Sequence, residues 1–501
     1  MTQVSLRLNL VANTLGQMYS AMLGILMLPV FYSENVLGAE SVGLIGFYTM
    51  LMFWFNLLDM GITPTLSRET TRFLTASSSR DHFYSLLMPV LVFFVLVSLL
   101  AGLLLFFNAR FVVEHWLQDS SLAKDDLVAA VQCMAIALAL RWNNGLMRGI
   151  ITGAERLLWL NLVNSLAVTL RFVLVIPIMM LFGFNILVFF VVQVLAAVVE
   201  YVLMLAKSRQ LVWSGMTDWT FSWQPLQQTL RFSLSVALLS LLGVAMTQLD
   251  KLALSSMLAL RDYGDVTVAA TLASGLLMVG VMFSGAILPR LTATYCQHDL
   301  DGHFRLYRNM TQWLTVLAGS TALVIIFAAK PLLFSWIGEA ELSQLMLDLL
   351  PWYCLGSFLM LLNGQVYYLQ YARGELKLHL RAQLIMVLVW VLALYLTLSQ
   401  AGAQAAAIAW CVIQFLLFLV YTPLVHRCYK PGLHQSWLWR DIVVILLPAL
   451  LLNVLLQHLQ PELRSRVLNF GYVVLLWCLT IVVASVSSSD LRSRLRYRFG
   501  I

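Results

Sequence analysis

Long apolar segments dominate the chain and restrict it to one class of fold. A helix needs about 20 apolar residues to cross the hydrocarbon core of a bilayer. Segments of this kind recur between turns and charges, and they predict about fourteen spans. These are residues 8–32, 41–66, 83–107, 126–149, 157–182, 185–207, 229–258, 266–290, 309–335, 343–371, 378–400, 404–425, 441–459 and 467–487.

Composition agrees with this class. Hydrophobic residues make up 61% of the chain and charged residues only 11%, which a water-soluble fold could not cover. We therefore expect an all-α polytopic membrane protein. The first apolar segment is too long for the core of a signal peptide and lacks a small-residue cleavage site, so it is interpreted as a retained span.

The sequence predicts no cofactor. The six cysteines lie far apart, without a CxxC pair or a histidine at the spacing of metal ligands, and are expected to be packing residues. A P-loop is also missing from the sequence, so ATP is not expected to be the direct energy source.

Lysine and arginine are distributed unevenly between the predicted loops. One side of the membrane holds only Arg110, Lys124, Arg261, Lys330, Arg464 and Arg466, and most of the other basic residues lie on the opposite side. The positive-inside rule therefore places both termini in the cytoplasm. The net charge of +7 is a signal of this topology, and its scattered residues do not predict nucleic-acid binding.

Six ionisable residues lie deep within predicted spans, away from their ends. Each costs roughly 2.5–3.5 kcal/mol at the centre of a membrane helix, so we expect them to face a cavity or one another. They are Asp59, Arg141, Arg171, Glu200, Asp250 and Lys251.

Polar residues also recur at helical spacing within four of the spans. Such stripes either line a water-filled interior or bond neighbouring helices, and the sequence leaves both interpretations open. The stripes are Asn9, Asn13 and Gln17; Asn56, Asp59 and Thr63; Arg141, Asn144 and Arg148; and Asn161, Asn164 and Arg171.

A faint internal repeat indicates the domain organisation. Leu230-Arg231 opens the seventh span as Leu6-Arg7 opens the first, and Pro289 follows Pro64 at nearly the same offset. Units of six spans would be related by a pseudo-two-fold axis along the membrane normal, with a cleft between them. We expect a six-helix bundle at 1–207, an interfacial connector at 208–228, a second six-helix bundle at 229–425, and an extra helix pair with a basic cytoplasmic tail at 426–501.

Several short motifs resemble the polysaccharide and O-antigen flippases of the multidrug/oligosaccharidyl-lipid/polysaccharide exporter superfamily. The resemblance covers roughly residues 1–425, and the last helix pair departs from the twelve spans of many O-antigen flippases. The motifs are GLIGFY at 43–48, LDMGITP at 58–64 with Arg68-Glu69 after it, QLDKLALS at 248–255, Tyr263-Gly264, and LPRLT at 288–292.

The resemblance implies transport rather than catalysis. A flippase of this family moves an undecaprenyl-pyrophosphate-linked oligosaccharide from the cytoplasmic to the periplasmic leaflet of the bacterial inner membrane, and polysaccharide polymerase and glycosyltransferases are possible partners. Arginine offers pyrophosphate a bidentate fork. The candidate substrate-binding residues are Arg141, Arg148, Arg171, Lys251, Arg290, Asn144, Asn161 and Asn164.

Alternating access to the cargo is expected to be ion-coupled. Asp59 or Glu200 could carry the proton, whereas adjacent Lys251 suggests that Asp250 is compensated locally. Asp59 could instead pair with Arg141 or Arg171 and hold the bundle together.

Three other functions fit the sequence less well. A multidrug exporter of organic cations should have an acid-rich cavity, and a lipid II flippase would share the fourteen spans and a cationic cleft. A membrane glycan polymerase or ligase would need a large periplasmic loop, but the longest predicted outer loop, at 108–125, is short and has His115 as its only histidine.

Overall fold

Nearly all of the described chain is helical, as expected where backbone groups must be satisfied without water. The computed structural model describes residues 6–59, 61–77, 79–213, 223–339, 341–460 and 465–493, without the side chains of 6–14, 213, 223–236, 284–286 and 399–401. The helices are α1 (Leu6–Tyr32), α2 (Gly38–Asn56), α3 (Ile62–Leu74), α4 (Arg80–Phe107), α5 (Ala109–His115), α6 (Lys124–Gly153), α7 (Leu157–Phe172), α8 (Val175–Phe182), α9 (Ile186–Ser208), α10 (Trp223–Ser255), α11 (Leu260–Cys296), α12 (Leu300–Leu314), α13 (Ser320–Phe327), α14 (Ala329–Ile337), α15 (Gln344–Arg373), α16 (Lys377–Leu416), α17 (Thr422–Tyr429), α18 (Leu433–Leu438), α19 (Val444–Leu456) and α20 (Arg466–Ser487).

The predicted number of spans is confirmed within the described ranges. Thirteen helical segments there are long and apolar enough to cross a membrane. Helix α6 is 30 residues long but carries Arg141 near its centre and Arg148 closer to its C-terminal end, which makes it more polar than the other spans. With α6 the segments number fourteen, and the chain is an all-α multi-pass membrane protein.

The second predicted span, 41–66, is wrong in its C-terminal part. Helix α2 ends at Asn56, a short 3-10 turn covers Leu57–Asp59, and Gly61 adopts a left-handed conformation with φ of 72°. Glycine has no Cβ and takes this conformation without strain, so the chain changes direction here. A separate amphipathic helix, α3, then begins at Ile62.

Some other predicted boundaries are shifted by local irregularities. The spans predicted at 378–400 and 404–425 are joined through α16, which is kinked at Gly402 with φ of 58°. A π-helical turn at Thr315–Gly319 separates α12 from α13. Residues 214–222 of the predicted connector and the tail after residue 493 lie outside the described residues.

The chain divides into two units, residues 1–264 and 265–501. In the first unit α6 is central and packs along α9, α4 and α3. Its core includes Phe94 stacked on Trp142, with ring centroids 4.5 Å apart. The predicted six-helix boundaries at 207, 228 and 425 remain predictions, and α10 lies in the first unit, where it packs against α2 and α4.

In the second unit the C-terminal helices α19 and α20 pack together and against α13. Buried Val316, Ile445, Ala449 and Ala484 form one apolar cluster at this contact. The last helix pair is therefore an integral part of the second unit.

Three glycines at four-residue spacing, Gly145, Gly149 and Gly153, form one face of α6. A Cβ at Gly149 would lie 2.9 Å from the Thr63 carbonyl oxygen, and one at Gly153 would lie 2.2 Å from that of Ser67. Small residues at this spacing let membrane helices approach backbone to backbone. The glycine face thus fixes α3 against α6, immediately after the break that follows Asp59.

We expect Gly153→Ala to destabilise the protein by about 1–3 kcal/mol, because the new methyl group would overlap backbone atoms of α3. Thermal unfolding of the purified protein in detergent measures the effect. Gly243→Ala on α10 is the matched control, since its Cβ would meet no atom within 4 Å. Equal melting temperatures for the two variants would contradict close packing at Gly153.

Candidate cationic cavity in the first unit

A cavity of about 490 Å³ lies within the first unit, among α1, α2, α6, α7 and α9. Polar side chains from all five helices line it, together with Phe53, Phe172 and Phe189. The polar lining residues are Gln17, Ser20, Tyr48, Thr49, Asn56, Arg141, Arg148, Asn161, Asn164, Arg171 and Gln193.

Arg148 forms the ion pair of this cavity. Its Nη2 donates to Glu200 Oε1 at 2.8 Å and to Asn164 Oδ1 at 3.0 Å. The Glu200 side chain is 1% exposed, whereas 41% of the Arg148 side chain remains accessible. Glu200 thus lies behind the cavity wall on α9, and Arg148 extends from α6 between this carboxylate and the open space.

Two further guanidinium groups have no acid bound to them within the described chain. Arg141 Nη1 donates to the Tyr48 hydroxyl at 3.3 Å. Arg171 is buried, and its Nε donates to the Ala167 carbonyl at 3.0 Å, one turn earlier on α7. With Arg148 and Glu200 the site contains three cations and one anion, so it has an excess of two positive charges.

Several buried polar atoms at this site have no hydrogen-bond partner among the described residues. They are Glu200 Oε2, Arg148 Nε, Asn161 Nδ2, and both amide atoms of Asn144. Buried polar atoms are nearly always hydrogen-bonded in native proteins. The unpaired donors among these atoms are Arg148 Nε and the amide nitrogens of Asn144 and Asn161. Unpaired donors beside an excess of positive charge suit an anionic ligand with many oxygen atoms.

The cavity brings together five of the eight predicted substrate-binding residues: Arg141, Arg148, Arg171, Asn161 and Asn164. Asn144 is buried on α6 but does not line the open space. Lys251 bonds Asp250 at 2.9 Å on α10, as predicted for local compensation, and Arg290 is exposed on α11 in the second unit.

Asp59 does not form the predicted ion pair with Arg141 or Arg171. Its Oδ1 accepts hydrogen bonds from the Thr63 backbone N–H at 3.1 Å and from the Thr63 hydroxyl at 2.7 Å. These bonds satisfy an N–H in the first turn of α3, which has no partner inside the helix. The carboxylate is thus used locally at the helix start, and Glu200 is the acid that pairs with an arginine.

Sequence reasoning missed Tyr48 and Gln193. The Gln193 amide donates to the Arg171 carbonyl at 3.2 Å. Gln193 lies seven residues before Glu200 and therefore on the same face of α9, a spacing that could have identified it. Of the predicted stripe on α1, Gln17 lines the cavity, while the side chains of Asn9 and Asn13 lie outside the described residues.

Comparisons with known proteins identify both a family and a fold. Residues 6–294 match the model of a family described as polysaccharide biosynthesis protein. The lipid II flippase MurJ in an inward closed conformation is 13% identical, with a TM-score of 0.69 over 95% of this chain and 98% of that chain. No curated protein matches the sequence.

Other similar structures are transporters of the MOP superfamily. An inward-facing multidrug resistance MATE family transporter is 15% identical, with a TM-score of 0.63 over 84% of this chain and 96% of that chain. A MOP superfamily transporter from Pyrococcus furiosus, described as having a binding pocket of reverse polarity, is also 15% identical, with a TM-score of 0.55 over 84% and 96%. At these identities the likeness establishes the fold.

We expect Asp59→Ala to destabilise the protein by about 1 kcal/mol, since both bonds to Thr63 are lost at the start of α3. Asp59→Asn keeps an acceptor oxygen and should remain close to the unmodified protein. Thermal unfolding in detergent distinguishes the two variants. An asparagine variant as unstable as the alanine variant would show that the negative charge, and not the acceptor, stabilises this turn.

Proposed function

The chain belongs to the polysaccharide biosynthesis protein family, and from this premise we propose that it is a flippase for an undecaprenyl-pyrophosphate-linked oligosaccharide. The cargo would be the repeat unit of O-antigen or of another surface polysaccharide, moved from the cytoplasmic to the periplasmic leaflet of the inner membrane. Both chain termini would lie in the cytoplasm, and the protein would act as a transporter and not as an enzyme. The cationic cavity is the observation that carries this proposal.

The charges of the cavity fit a pyrophosphate group. Arg141 and Arg171 lack an acidic partner within the described chain, and each can offer a guanidinium fork to phosphate oxygens. In a water-poor site, one such group strengthens the binding of an anion far more than it would in bulk water. Two excess positive charges favour an anion that carries more than one negative charge.

The rest of the lining fits the sugar that adjoins the pyrophosphate. The amides of Asn161, Asn164 and Gln193 can exchange hydrogen bonds with sugar hydroxyls. Phe172 and Phe189 add apolar surface that a ring face can contact. A headgroup and its first sugar would thus meet complementary chemistry in one cavity.

Two other cargoes are less compatible or less favoured. An organic cation would be repelled by the excess positive charge, which argues against multidrug export. Lipid II carries the same pyrophosphate, so the cavity alone would accept either lipid. Membership in a polysaccharide biosynthesis family favours a polysaccharide repeat unit, with polysaccharide polymerase and glycosyltransferases as partners that act before or after the transport step.

The Arg148–Glu200 pair supplies a route to ion coupling. A pyrophosphate oxygen can compete with Glu200 for the Arg148 guanidinium, whose Nε has no partner among the described residues. The Glu200 carboxylate would then lose its cation in a buried position, and a proton can replace that cation. Loading of cargo and uptake of a proton would in this way occur at the same ion pair.

We expect Arg171→Gln and Arg141→Gln each to reduce the surface display of polysaccharide about tenfold or more, because each removes charge-assisted hydrogen bonds to the pyrophosphate. Display is measured in cells that depend on this gene, beside the abundance of the protein in the membrane. Arg110→Gln is the control, because this arginine lies outside the cavity with 69% of its side chain exposed. Normal display in both cavity variants at normal abundance would rule out the proposed pyrophosphate site.

Coupling is tested separately in proteoliposomes that contain a labelled undecaprenyl-pyrophosphate-linked sugar. An imposed proton gradient should accelerate transport by the unmodified protein and by Asp59→Asn, but not by Glu200→Gln. If the gradient does not change the rate of transport by the unmodified protein, proton coupling is disproved, and the flippase proposal is unaffected. Loss of the response in Asp59→Asn instead would assign the proton to Asp59.

A further inference from the structure

A second cavity, of about 770 Å³, lies in the second unit where four membrane-spanning segments end. The segments Leu300–Phe327 and Leu433–Leu459 begin there, and Gly402–Tyr429 and Arg466–Ser487 end there. These positions place the cavity at one boundary of the membrane, the depth at which lipid phosphate groups lie. It shares no lining residue with the cationic cavity described above.

This boundary cavity is lined by five basic side chains: Arg305, Arg308, Lys430, Arg440 and Arg492. The acids close to them are Asp301, on the rim, buried Asp441, which pairs with Arg308, and Asp490, whose backbone N–H donates to lining residue Gln312. Two positive charges therefore remain in excess.

The floor of the cavity is rigid because its polar groups are bonded to one another. Arg308 donates to both carboxylate oxygens of Asp441, at 2.6 and 3.0 Å. The Gln312 amide donates to Asp441 at 2.7 Å, and its oxygen accepts from the Ser488 hydroxyl at 2.7 Å. This network joins α12 to both ends of the C-terminal helix pair, so Arg308 acts as a positioning residue.

The rim cations, in contrast, are available. Neither Arg305 nor Arg440 has a hydrogen bond or ion pair within the described part of the chain, and both are exposed. Lys430 lies 3.6 Å from an Asp301 carboxylate that is itself 88% exposed, a contact that water screens. Arg305 and Arg440 can thus turn towards an anion without breaking a bond inside the protein.

The cavity continues from its charged rim onto apolar surface. Phe304, Leu433 and Val444 form part of its lining. Val444, Leu447 and Leu451 recur on one face of α19 and are 37%, 49% and 55% exposed, so this face continues from the cavity along the spanning helix. A free phosphate ion needs no such surface, whereas a phospholipid carries acyl chains directly behind its phosphate.

We propose that the boundary cavity binds the headgroup phosphate of an anionic phospholipid, with acyl chains lying along Val444, Leu447 and Leu451. Arg305 and Arg440 would bind the phosphate oxygens, and the Arg308–Asp441–Gln312 network would hold the site open. The last helix pair completes this site, because α19 supplies the apolar face and the segment directly after α20 supplies Ser488 and Arg492. The site does not depend on the identity of the transported cargo.

Binding is measured on the full-length protein in detergent by native mass spectrometry, titrated with cardiolipin, phosphatidylglycerol and phosphatidylethanolamine. The two anionic lipids should remain bound, and phosphatidylethanolamine should bind about tenfold more weakly or not at all. The double variant Arg305→Gln/Arg440→Gln should weaken cardiolipin binding about tenfold or more. Because neither arginine is bonded within the described protein, the melting temperature should not change.

The matched control is Arg381→Gln/Arg427→Gln, which removes two exposed charges of the same unit outside the cavity. Equal weakening by this control would attribute binding to general surface charge and overturn the proposal. Competition by inorganic phosphate or pyrophosphate at the affinity of the lipid would also overturn it, since the ligand would then be a free anion. Unchanged cardiolipin binding in the Arg305/Arg440 variant would exclude the site itself.

Discussion

The cost of placing charge inside a membrane determines the organisation of the first unit. Glu200 is almost wholly buried, and its carboxylate is stabilised by Arg148 at 2.8 Å, a bond that requires α6 and α9 to pack side by side. Removing Arg148 would leave the Glu200 carboxylate as an uncompensated buried charge. Both helices also line the cavity, in which Arg141 is supplied by α6 and Arg171 by α7.

An excess of two positive charges in such a cavity costs free energy of folding, so we expect these charges to serve a function. The chain could have neutralised Arg141 and Arg171 with nearby acids, yet within the described residues Glu200 is the acid of this site and bonds Arg148. The same logic appears in the second unit, where Asp441 neutralises Arg308 while rim arginines remain available. In both places a fixed ion pair organises the site, and neighbouring cations supply the attraction for a phosphate-bearing ligand.

Sequence reasoning was most accurate where the physical signal was strong. Apolar length predicted the spans, and matching of residues 6–294 to a polysaccharide biosynthesis family agrees with the resemblance of the motifs. Helical spacing grouped Arg141 with Arg148 on one span, and Asn161 with Asn164 and Arg171 on another. All five line one cavity, because residues on one face of a helix can reach the same space. Helical spacing could not identify Tyr48 as the partner of Arg141, because that contact joins helices far apart in the chain.

Sequence alone thus determined that the chain spans a membrane many times and that arginines lie at depths where lipid cannot accommodate them. Tertiary structure decided which acid meets which base. Asp59 carries the same charge as Glu200, but the left-handed Gly61 directs the chain into α3, and the Asp59 carboxylate bonds the first turn of that helix. Pairing depends on the distances between packed helices, and the sequence does not specify these distances directly. Only the tertiary structure could therefore assign Glu200 to Arg148.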